Sequence, residues 1–444
     1  MEKYFDKAVI YAIAQKLWQS LSGALTLFLL LNYVTEVELG YYYAFSSLIG
    51  LQMIFELGLS TIVRQFISHE VAKITVKDSY YFGRRQYTNR LSCLIVKSLM
   101  VYFVICILIV LILIPAGLYF FSSTTESYDV TWKNPWMLLV IFASINCFIT
   151  IVVSILEGLG YIARVKKVIF LATIVSSLGV WSTLYFGAPL YSLVILNFVN
   201  AIFISIWVAR NHTGYFIQAF RNYRRCKSIK SPLSWRKEIW PLQWKMGISW
   251  LGGYFMFYII NPLAFKYYGP EFSGKLGLLF QISNLCLSVT AALVTTKMPM
   301  FSRMVSLGNI SQLDNYFNRV QIISSAGFFL LGTMVFVSFQ AVTYFELPFS
   351  KNILSNSYII IILMMTFARN LINGHACYIR SFKSEKHALN AIITGVAVAI
   401  VLPIVGKFSS SFNFIIAYAS VVLLFSYPHS RYIFTKFRNK HGKP

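Results

Sequence analysis

Five polar side chains recur every four residues inside one apolar stretch, LGYYYAFSSLIGLQMIFELGLSTIVRQFISHE (39–70): Gln52, Glu56, Ser60, Arg64 and Ser68. On a helix of 3.6 residues per turn, each step of four moves the next side chain by only about 40°, so the five form one winding stripe. The stretch is long enough to cross a bilayer, which takes roughly 20 apolar residues. A membrane helix with one polar side indicates neighbouring helices that enclose a water-accessible cavity.

Three cations lie in or beside apolar stretches and are candidate groups for binding an anionic substrate: Arg369, Lys16 and Lys245. A lone charge near the bilayer centre costs roughly 2.5–3.5 kcal/mol on insertion scales, so each needs a partner, a wet cavity or a reachable interface. Arg369 shares a helical face with Asn373, which indicates either a substrate contact or a structural hydrogen-bond network between helices. The two lysines either extend to the inner interface or bind an anionic headgroup.

Two acidic residues within the spans, Glu56 and Glu157, are candidates for coupling transport to an ion gradient. A carboxyl group in a low-dielectric setting can take up and release a proton near neutral pH. For Glu56 the alternative is a fixed pair with a cation on another helix. For Glu157 the alternative is an interfacial ion pair, because Arg164 and Lys166 follow it closely.

Composition places the chain among polytopic membrane proteins. Of its 444 residues, 57% are hydrophobic and only 12% are charged, and the mean hydropathy is +0.64, which is unusual for a soluble protein. A formal net charge of +24 would suggest nucleic-acid binding in a soluble chain. Here the cations fall between the apolar stretches, so they indicate membrane topology, and no nucleic-acid partner is predicted.

Apolar windows predict twelve spanning helices, at 10–34, 41–66, 91–121, 136–159, 168–187, 190–209, 241–266, 276–298, 319–342, 354–378, 387–406 and 412–433. With these spans, all but five of the 39 lysines and arginines fall on one side of the membrane. By the positive-inside rule that side is cytoplasmic, and both termini lie there. The fold class expected is therefore an all-α polytopic membrane protein with twelve transmembrane helices.

Spaced identities between the two halves of the chain indicate an internal duplication. Five residues of the first predicted helix match five of the seventh at one constant offset: Lys16, Ser20, Gly23, Phe28 and Asn32 match Lys245, Ser249, Gly252, Phe257 and Asn261. Repeats of six helices keep the same membrane orientation, so two parallel six-helix repeats around a central cleft are expected. The predicted domains are an N-terminal bundle (1–210), a basic cytoplasmic linker (211–240) and a C-terminal bundle (241–444). The linker either binds an anionic lipid or acidic partner or only sets topology.

Signatures of enzymes, metals and cofactors are missing from the sequence. It contains no phosphate-binding Gly-rich loop followed by Lys-Ser/Thr, no HExxH and no CxxC pair among its six cysteines, so neither a cofactor nor a metal site is predicted. The longest predicted outer connection, 122–135, has 14 residues, which is too short for a folded catalytic domain. The chain is therefore expected not to be an enzyme.

The stretch at 39–70 and a second stretch, LEGLGYIARV at 156–165, together with the twelve spans and the duplication, resemble the Wzx-type polysaccharide repeat-unit flippases. This family belongs to the multidrug/oligosaccharidyl-lipid/polysaccharide exporter superfamily, and the resemblance covers essentially the whole chain. It implies a carrier that moves undecaprenyl-pyrophosphate-linked oligosaccharides, of O-antigen or capsule type, from the cytoplasmic to the periplasmic leaflet of a bacterial inner membrane. Alternating access driven by H+ or Na+ is implied as well.

By cavity position and charge, the resemblance assigns substrate binding to Lys16, Arg64, Lys245 and Arg369, and coupling to Glu56. The partners it implies are the lipid-linked oligosaccharide, membrane lipids and other polysaccharide-assembly proteins. One alternative is a cation-coupled drug or metabolite antiporter of the same superfamily, which is expected to have a more acidic cavity. A membrane polymerase or ligase of lipid-linked sugars and a lipid II flippase are further alternatives.

Overall fold

The structure is a computed structural model that describes residues 2–77, 79–123, 130–226, 234–346, 350–382 and 384–441. Residues 124–129 of the predicted outer connection 122–135 and residues 227–233 of the predicted linker lie outside these ranges. The side chains of a few helical residues also lie outside the description. Lys245, one of the predicted binding residues, is among them.

The described chain is almost entirely helical. In chain order the α-helices are α1 (Glu2–Tyr33), α2 (Glu36–Ile49), α3 (Gln52–Glu56), α4 (Leu59–Val71), α5 (Arg85–Ser123), α6 (Lys133–Gly158), α7 (Ile162–Tyr185), α8 (Pro189–Asn211), α9 (Thr213–Cys226), α10 (Trp240–Phe257), α11 (Ile260–Thr295), α12 (Met298–Ser306), α13 (Ile310–Tyr344), α14 (Asn356–Ser381), α15 (Ala388–Phe408), α16 (Ser411–Ser420) and α17 (Tyr427–His441). Three short helical turns accompany them: π-helical Trp235–Ile239 and Val421–Ser426, and 3-10 Ser350–Asn352. One antiparallel hairpin pairs β1 (Thr75–Lys77) with β2 (Tyr80–Phe82).

Each of the twelve predicted spans coincides with one, two or three consecutive helices, which confirms the all-α polytopic fold class. In the part of the chain that the structure describes, nine segments are long and apolar enough to cross a membrane, and the bent pair Glu36–Glu56 and Leu59–Val71 makes a tenth. The segment Trp250–Ser306 is one of the nine; it contains the predicted span 276–298 and most of the predicted span 241–266. The remaining predicted span is α1, which is 32 residues long.

The chain divides into two compact units. Unit 1 comprises Met1–Val34 and Leu48–Trp250. In it α1 packs on α7, α7 on α8, and α5 on α6. Part of its core consists of small and branched apolar side chains from α6, α7 and α8: Ile149, Val168, Ala172, Ala201 and Ile204.

Unit 2 comprises Thr35–Ser47 and Leu251–Pro444, so it includes most of α2. Within this unit α11 packs on α13 and α14, and α14 packs on α17. Its core is rich in aromatic rings from α12, α13, α14 and α17, among them Phe301, Phe317, Tyr378, Phe434 and Phe437. Gly269, with φ 83°, bends α11 immediately before Pro270.

The polar stripe predicted on one continuous helix is divided in the structure. The backbone leaves the helical conformation at Leu57 and Gly58, which both have positive φ (50° and 68°). Glycine adopts this conformation readily and leucine rarely does. Glu56 therefore ends α3 and Arg64 lies on α4, and their side chains have partners on different helices. The prediction of one unbroken helix from 39 to 70 is wrong at this point, because a single left-handed turn cannot be recognised in an apolar pattern.

A histidine is buried in unit 1 at the junction of α8 and α9. His212 is 2% exposed and lies among the rings of Trp207, Tyr161 and Tyr215. Neither of its ring nitrogens has a hydrogen-bond partner among the described residues. Burial lowers the pKa of His212, and the positive charge of Arg164 lowers this pKa further.

Acidification is therefore expected to destabilise the protein through His212. The unfolded chain binds a proton at this residue near pH 6.5 and the folded chain only at lower pH, so the free energy of unfolding falls as the pH drops below about 6.5. We expect His212→Phe to reduce this loss, as measured by thermal unfolding in detergent at pH 7.5 and pH 5. The exposed His69→Asn variant serves as the control and is expected to behave like wild type. Equal pH dependence in wild type and His212→Phe would contradict this assignment.

Candidate functional site

Unit 2 contains a polar cavity of about 370 Å3, here called the unit 2 cavity. Its lining comes from α2, α11, α14 and α16, from the end of α10 and from the turn before α11. The polar side chains that line it are Tyr42, Tyr43, Ser46, Ser47, Tyr258, Asn261, Gln281, Asn284, Ser288, Arg369 and Tyr418. Among the residues that the structure describes, this lining contains no Asp or Glu. The cavity therefore combines one cation with phenol, amide and hydroxyl groups.

Arg369 is the cation of the unit 2 cavity. Its guanidinium carbon lies 4.3 Å from the centroid of the Phe257 ring, a distance at which the face of an aromatic ring attracts a cation. Its Nε is buried and has no hydrogen-bond partner within the described ranges. No described carboxylate forms an ion pair with Arg369. The guanidinium therefore retains donors that are available to an anion.

The other polar residues near Arg369 on α14 have structural partners. Asn370 is fully buried and its amide donates to the Ser324 hydroxyl at 3.1 Å, which in turn donates to the carbonyl of Thr290 at 2.8 Å. Asn373, a predicted binding residue, does not line the unit 2 cavity. The two interpretations of this helix, a substrate contact and a hydrogen-bond network between helices, thus apply to different residues. Arg369 lines a cavity, and Asn370 forms the network.

Unit 1 contains a second polar cavity, of about 480 Å3, here called the unit 1 cavity. Its polar lining consists of Gln15, Gln19, Ser60, Thr61, Arg64, Asn146, Thr150, Ser154, Glu157, Lys166, Thr173, Asn197 and Asn200. The Asn146 amide donates to the backbone oxygen of Asn197 at 2.6 Å and to its side-chain oxygen at 3.1 Å. Amides and hydroxyls provide both donors and acceptors, so this cavity suits a ligand with many hydroxyl groups.

The charges of the unit 1 cavity form one compact ion cluster. Glu157 lies 2.8 Å from Nη1 of Arg64 and 2.8 Å from Nζ of Lys166, and its side chain is 5% exposed. The ion pair expected for Glu157 is present with Lys166, whereas Arg164 lies over the ring of Tyr161. Two cations around one carboxylate leave a local excess of positive charge at this cluster. This arrangement favours a structural role for Glu157 over the predicted role in ion coupling.

Removing the carboxylate is expected to destabilise unit 1. Glu157→Gln leaves Arg64 and Lys166 without their shared counter-ion, and breaking a buried pair is costly because a charge is left uncompensated. Both cations are partly exposed, so we expect a loss of about 2 kcal/mol in the free energy of unfolding. Glu385→Gln is the control, because its pair with Arg380 is exposed on both sides and is worth less than about 1 kcal/mol. Equal thermal unfolding temperatures for the two variants would contradict this role.

Glu56 has a different environment from Glu157. Its carboxylate accepts hydrogen bonds from the hydroxyls of Ser60 and, at 2.9 Å, Tyr102. Across the described residues it forms no ion pair, so the fixed pair considered as the alternative for Glu56 is not found. Arg64, two turns along the chain, binds Glu157 instead. The described partners of the Glu56 carboxylate are therefore neutral hydroxyl groups and not cations.

Neither Lys16 nor Lys245, the two predicted binding lysines, is among the described residues that line the two cavities. Lys16 is exposed on α1, while its neighbours Gln15 and Gln19 line the unit 1 cavity. The side chain of Lys245 lies outside the described residues. Small rotations of a helix decide which of two adjacent residues faces a cavity, and a sequence pattern does not report them.

The amides of both cavities were not predicted from the sequence, because the predicted site residues were chosen mainly among charged side chains. A usable signal exists: the amides and hydroxyls recur at helical spacing within apolar spans. Gln15 and Gln19 are four residues apart, Asn197 and Asn200 are three apart, and Gln281, Asn284 and Ser288 follow the same rule. Polar side chains three or four apart share one helical face.

Comparison with solved structures finds the same fold in proteins of low sequence identity. The chain matches a multidrug resistance MATE family transporter of the MOP superfamily in an inward-facing conformation (TM-score 0.71, 12% identity, 97% of this chain and 99% of the other). It also matches the lipid II flippase MurJ (TM-score 0.61, 14% identity, 96% and 87%) and the MATE multidrug transporter DinF-BH (TM-score 0.58, 12% identity, 100% and 97%). These likenesses confirm the twelve-helix, two-repeat architecture. No protein-family model and no curated protein matches the sequence.

Proposed function

We propose that this chain is a flippase that moves undecaprenyl-pyrophosphate-linked oligosaccharide repeat units from the cytoplasmic to the periplasmic leaflet of a bacterial inner membrane. One observation carries the proposal: Arg369 lines a cavity without carboxylates, and no described acidic group neutralises it. A transporter fold shared with a lipid II flippase and with drug transporters supports the general activity. The cargo follows from the chemistry of the two cavities.

The pyrophosphate is the part of the cargo that Arg369 recognises. Its guanidinium offers donors in a planar fork that matches two phosphate oxygens at once. A buried donor without a partner costs free energy, and Nε of Arg369 is such a donor among the described atoms. A phosphate oxygen satisfies this donor and neutralises the charge. Tyr258, which lines the same cavity, supplies a hydroxyl donor to a remaining oxygen, whereas the Tyr418 hydroxyl already donates to the backbone oxygen of Met256 at 2.6 Å.

The unit 1 cavity, taken by itself, has the chemistry to bind an oligosaccharide. Sugar hydroxyls both donate and accept hydrogen bonds, and the amides of this cavity do the same. Asn197, Asn200 and Gln19 line it beside the ion cluster. One nitrogen atom of Arg64 is already paired with Glu157. Arg64 therefore contributes to sugar binding as a member of the ion cluster.

Several further parts of the proposal rest on the sequence alone. Lys16 and Lys245 are proposed to meet the anionic headgroup near the cytoplasmic surface, and Asn373 to act beside Arg369. The division into a bundle at 1–210, a linker at 211–240 and a bundle at 241–444 is proposed to reflect the duplication. Both termini are proposed to be cytoplasmic, and the carrier is proposed to use alternating access with H+ or Na+ as the coupling ion.

Glu56 is the proposed coupling carboxylate, and its replacement is expected to change how transport responds to pH. In Glu56→Gln the group can no longer exchange a proton, while Ser60 and Tyr102 keep a hydrogen-bond acceptor. We expect initial rates in proteoliposomes to become independent of an imposed pH gradient. Glu271→Gln removes an exposed carboxylate on α11 as the control and is expected to keep the wild-type response. An unchanged pH response in Glu56→Gln would end the coupling proposal.

A cation-coupled drug antiporter is the second candidate, favoured by the likeness to MATE transporters. A cationic drug in the unit 2 cavity would face Arg369 and no carboxylate, and like charges repel strongly where the dielectric constant is low. In the unit 1 cavity, the described Glu157 is already paired with two cations. The two cavities therefore favour an anionic cargo.

A reconstituted assay tests the function. The purified chain is placed in liposomes that carry a fluorescent oligosaccharide on undecaprenyl pyrophosphate, and the fraction reachable by an impermeant quencher is followed over time. The same oligosaccharide on an uncharged polyprenol is the matched substrate, and a rhodamine dye represents a cationic drug. We expect transport of the pyrophosphate lipid alone. Transport of the dye without lipid movement would support the antiporter, and equal movement of charged and uncharged lipids would remove the role of Arg369.

A further inference from the structure

One face of helix α9 packs against the rest of unit 1. The Gln218 side chain accepts from the backbone nitrogen of Tyr81 at 2.9 Å and donates to its oxygen at 2.8 Å, which fixes α9 to the β1–β2 hairpin. Tyr215 and Ala219 on the same face are fully buried. The orientation of α9 about its own axis is therefore set by specific contacts.

The opposite face of α9 is exposed and combines apolar and basic residues. Ile217 is 57% exposed and Phe220 is 42% exposed, and Arg221 and Arg224 are exposed next to them. Within the described ranges neither arginine forms an ion pair. A helix with large apolar side chains beside arginines is typical of a helix that lies at a membrane surface.

An apolar groove adjoins the exposed face of α9. It has a volume of about 570 Å3 and is lined by Leu99, Met100, Phe103 and Val104 of α5, with Phe148 and Val152 of α6 on the other side. Phe216 and Phe220 of α9 line this groove and also the neighbouring cavity that Arg221 and Arg224 line. The groove and the two arginines thus form one continuous surface, here called the α9 groove.

We propose that the α9 groove binds one anionic phospholipid, with an acyl chain along α5 and α6 and its phosphate on Arg221 and Arg224. Charge complementarity and the continuity of the groove support this occupant. Arginine binds phosphate oxygens bidentately, and basic pockets beside spanning helices on the cytoplasmic side recognise anionic headgroups. An acidic soluble protein would satisfy the arginines and leave the apolar groove unfilled. The inference does not depend on which cargo the chain transports.

Lipid titration of the purified protein, followed by native mass spectrometry, tests the site. Dioleoyl-phosphatidylglycerol is the probe, and dioleoyl-phosphatidylcholine has the same chains without net charge. A cation near the membrane surface strengthens binding of an anionic lipid about fivefold, so two give about 25-fold. We expect Arg221→Gln/Arg224→Gln to lose this preference. Arg84→Gln/Arg85→Gln removes two exposed arginines of the same unit, outside the groove, and is expected to keep it.

Two further measurements distinguish binding of the lipid headgroup from binding of the acyl chain. Val104→Trp fills the apolar groove and is expected to weaken both lipids at least fivefold, while the preference for phosphatidylglycerol persists. Glycerol 3-phosphate, the soluble headgroup, is expected not to compete at tenfold excess. Full competition by glycerol 3-phosphate would overturn the lipid site in favour of a phosphate site. Equal binding of both lipids to wild type would overturn the lipid site in favour of an acidic protein partner. An equal loss of the phosphatidylglycerol preference in the two double-arginine variants would overturn it in favour of a general effect of positive charge.

Discussion

Replacement of Arg369 by alanine is expected to lower transport of the pyrophosphate-linked lipid ten- to a hundredfold. A hydrogen bond to a charged group contributes about 1.5–3 kcal/mol, which corresponds to that range. No described carboxylate pairs with Arg369, so its removal leaves no uncompensated charge, and the thermal unfolding temperature is expected to stay near that of wild type. Initial rates in the quencher assay and thermal unfolding in detergent measure the two quantities.

Two variants of α14 make the Arg369 result specific. Arg369→Lys keeps the charge but loses the planar fork of donors, and we expect it to retain a larger share of the wild-type rate than alanine. Arg380→Ala removes an exposed cation of the same helix and is expected to transport normally. A correctly inserted Arg369→Ala protein that transports at the full rate would remove the central site assignment.

Replacement of Gly40 by alanine is expected to cost about 3 kcal/mol of stability, at the upper end of the range for overpacking. A Cβ atom at Gly40 would lie 2.1 Å from the backbone oxygen of Pro270, so α2 and α11 would have to move apart. Their contact continues at Gly274, where a Cβ would meet the backbone oxygen of Glu36 at 2.8 Å. Glycines at such positions allow the close approach of membrane helices. Because α2 and α11 also line the unit 2 cavity, transport is expected to fall as well.

The control for this substitution is Gly253→Ala. A Cβ at Gly253 has open space around it, and alanine is the better helix former by up to about 1 kcal/mol, so this variant is expected to be at least as stable as wild type. Unfolding can be followed with a thiol-reactive fluorophore that reports exposure of the buried Cys286 and Cys377. Equal unfolding temperatures for the two glycine variants would show that the contact of α2 with α11 does not limit stability.

The spans could be predicted from the sequence because membrane insertion depends on apolar length, which a hydropathy pattern reports directly. Each of the twelve windows coincides with described helices. The break at Leu57 and Gly58 was not predicted, since one left-handed turn hardly changes the apolar pattern around it. Its consequence is large, because Glu56 and Arg64 contact different partners instead of lying on one stripe.

The candidate site could be predicted only in part. Arg369 was identified because a charge inside a long span needs a wet cavity, and it does line one. The amides of the unit 1 cavity were missed, and Asn373 was favoured although the cavity lining does not include it. Facing directions depend on helix rotation and tertiary packing, which spacing along one helix leaves undetermined. The positive excess around Glu157 likewise depends on Arg64 and Lys166 coming from two other helices.

The central claim is that this chain moves a lipid-linked anionic glycan from one leaflet to the other, and the most direct measurement is the leaflet in which that lipid accumulates when the gene is deleted. Lipids are extracted from the deletion strain, undecaprenyl-pyrophosphate-linked repeat units are quantified, and an impermeant reagent determines which leaflet holds them. We expect single units in the inner leaflet and loss of the surface polysaccharide, both restored by the wild-type gene and not by Arg369→Ala. Units that reach the outer leaflet without polymerising, or a normal surface polysaccharide, would contradict the proposed function.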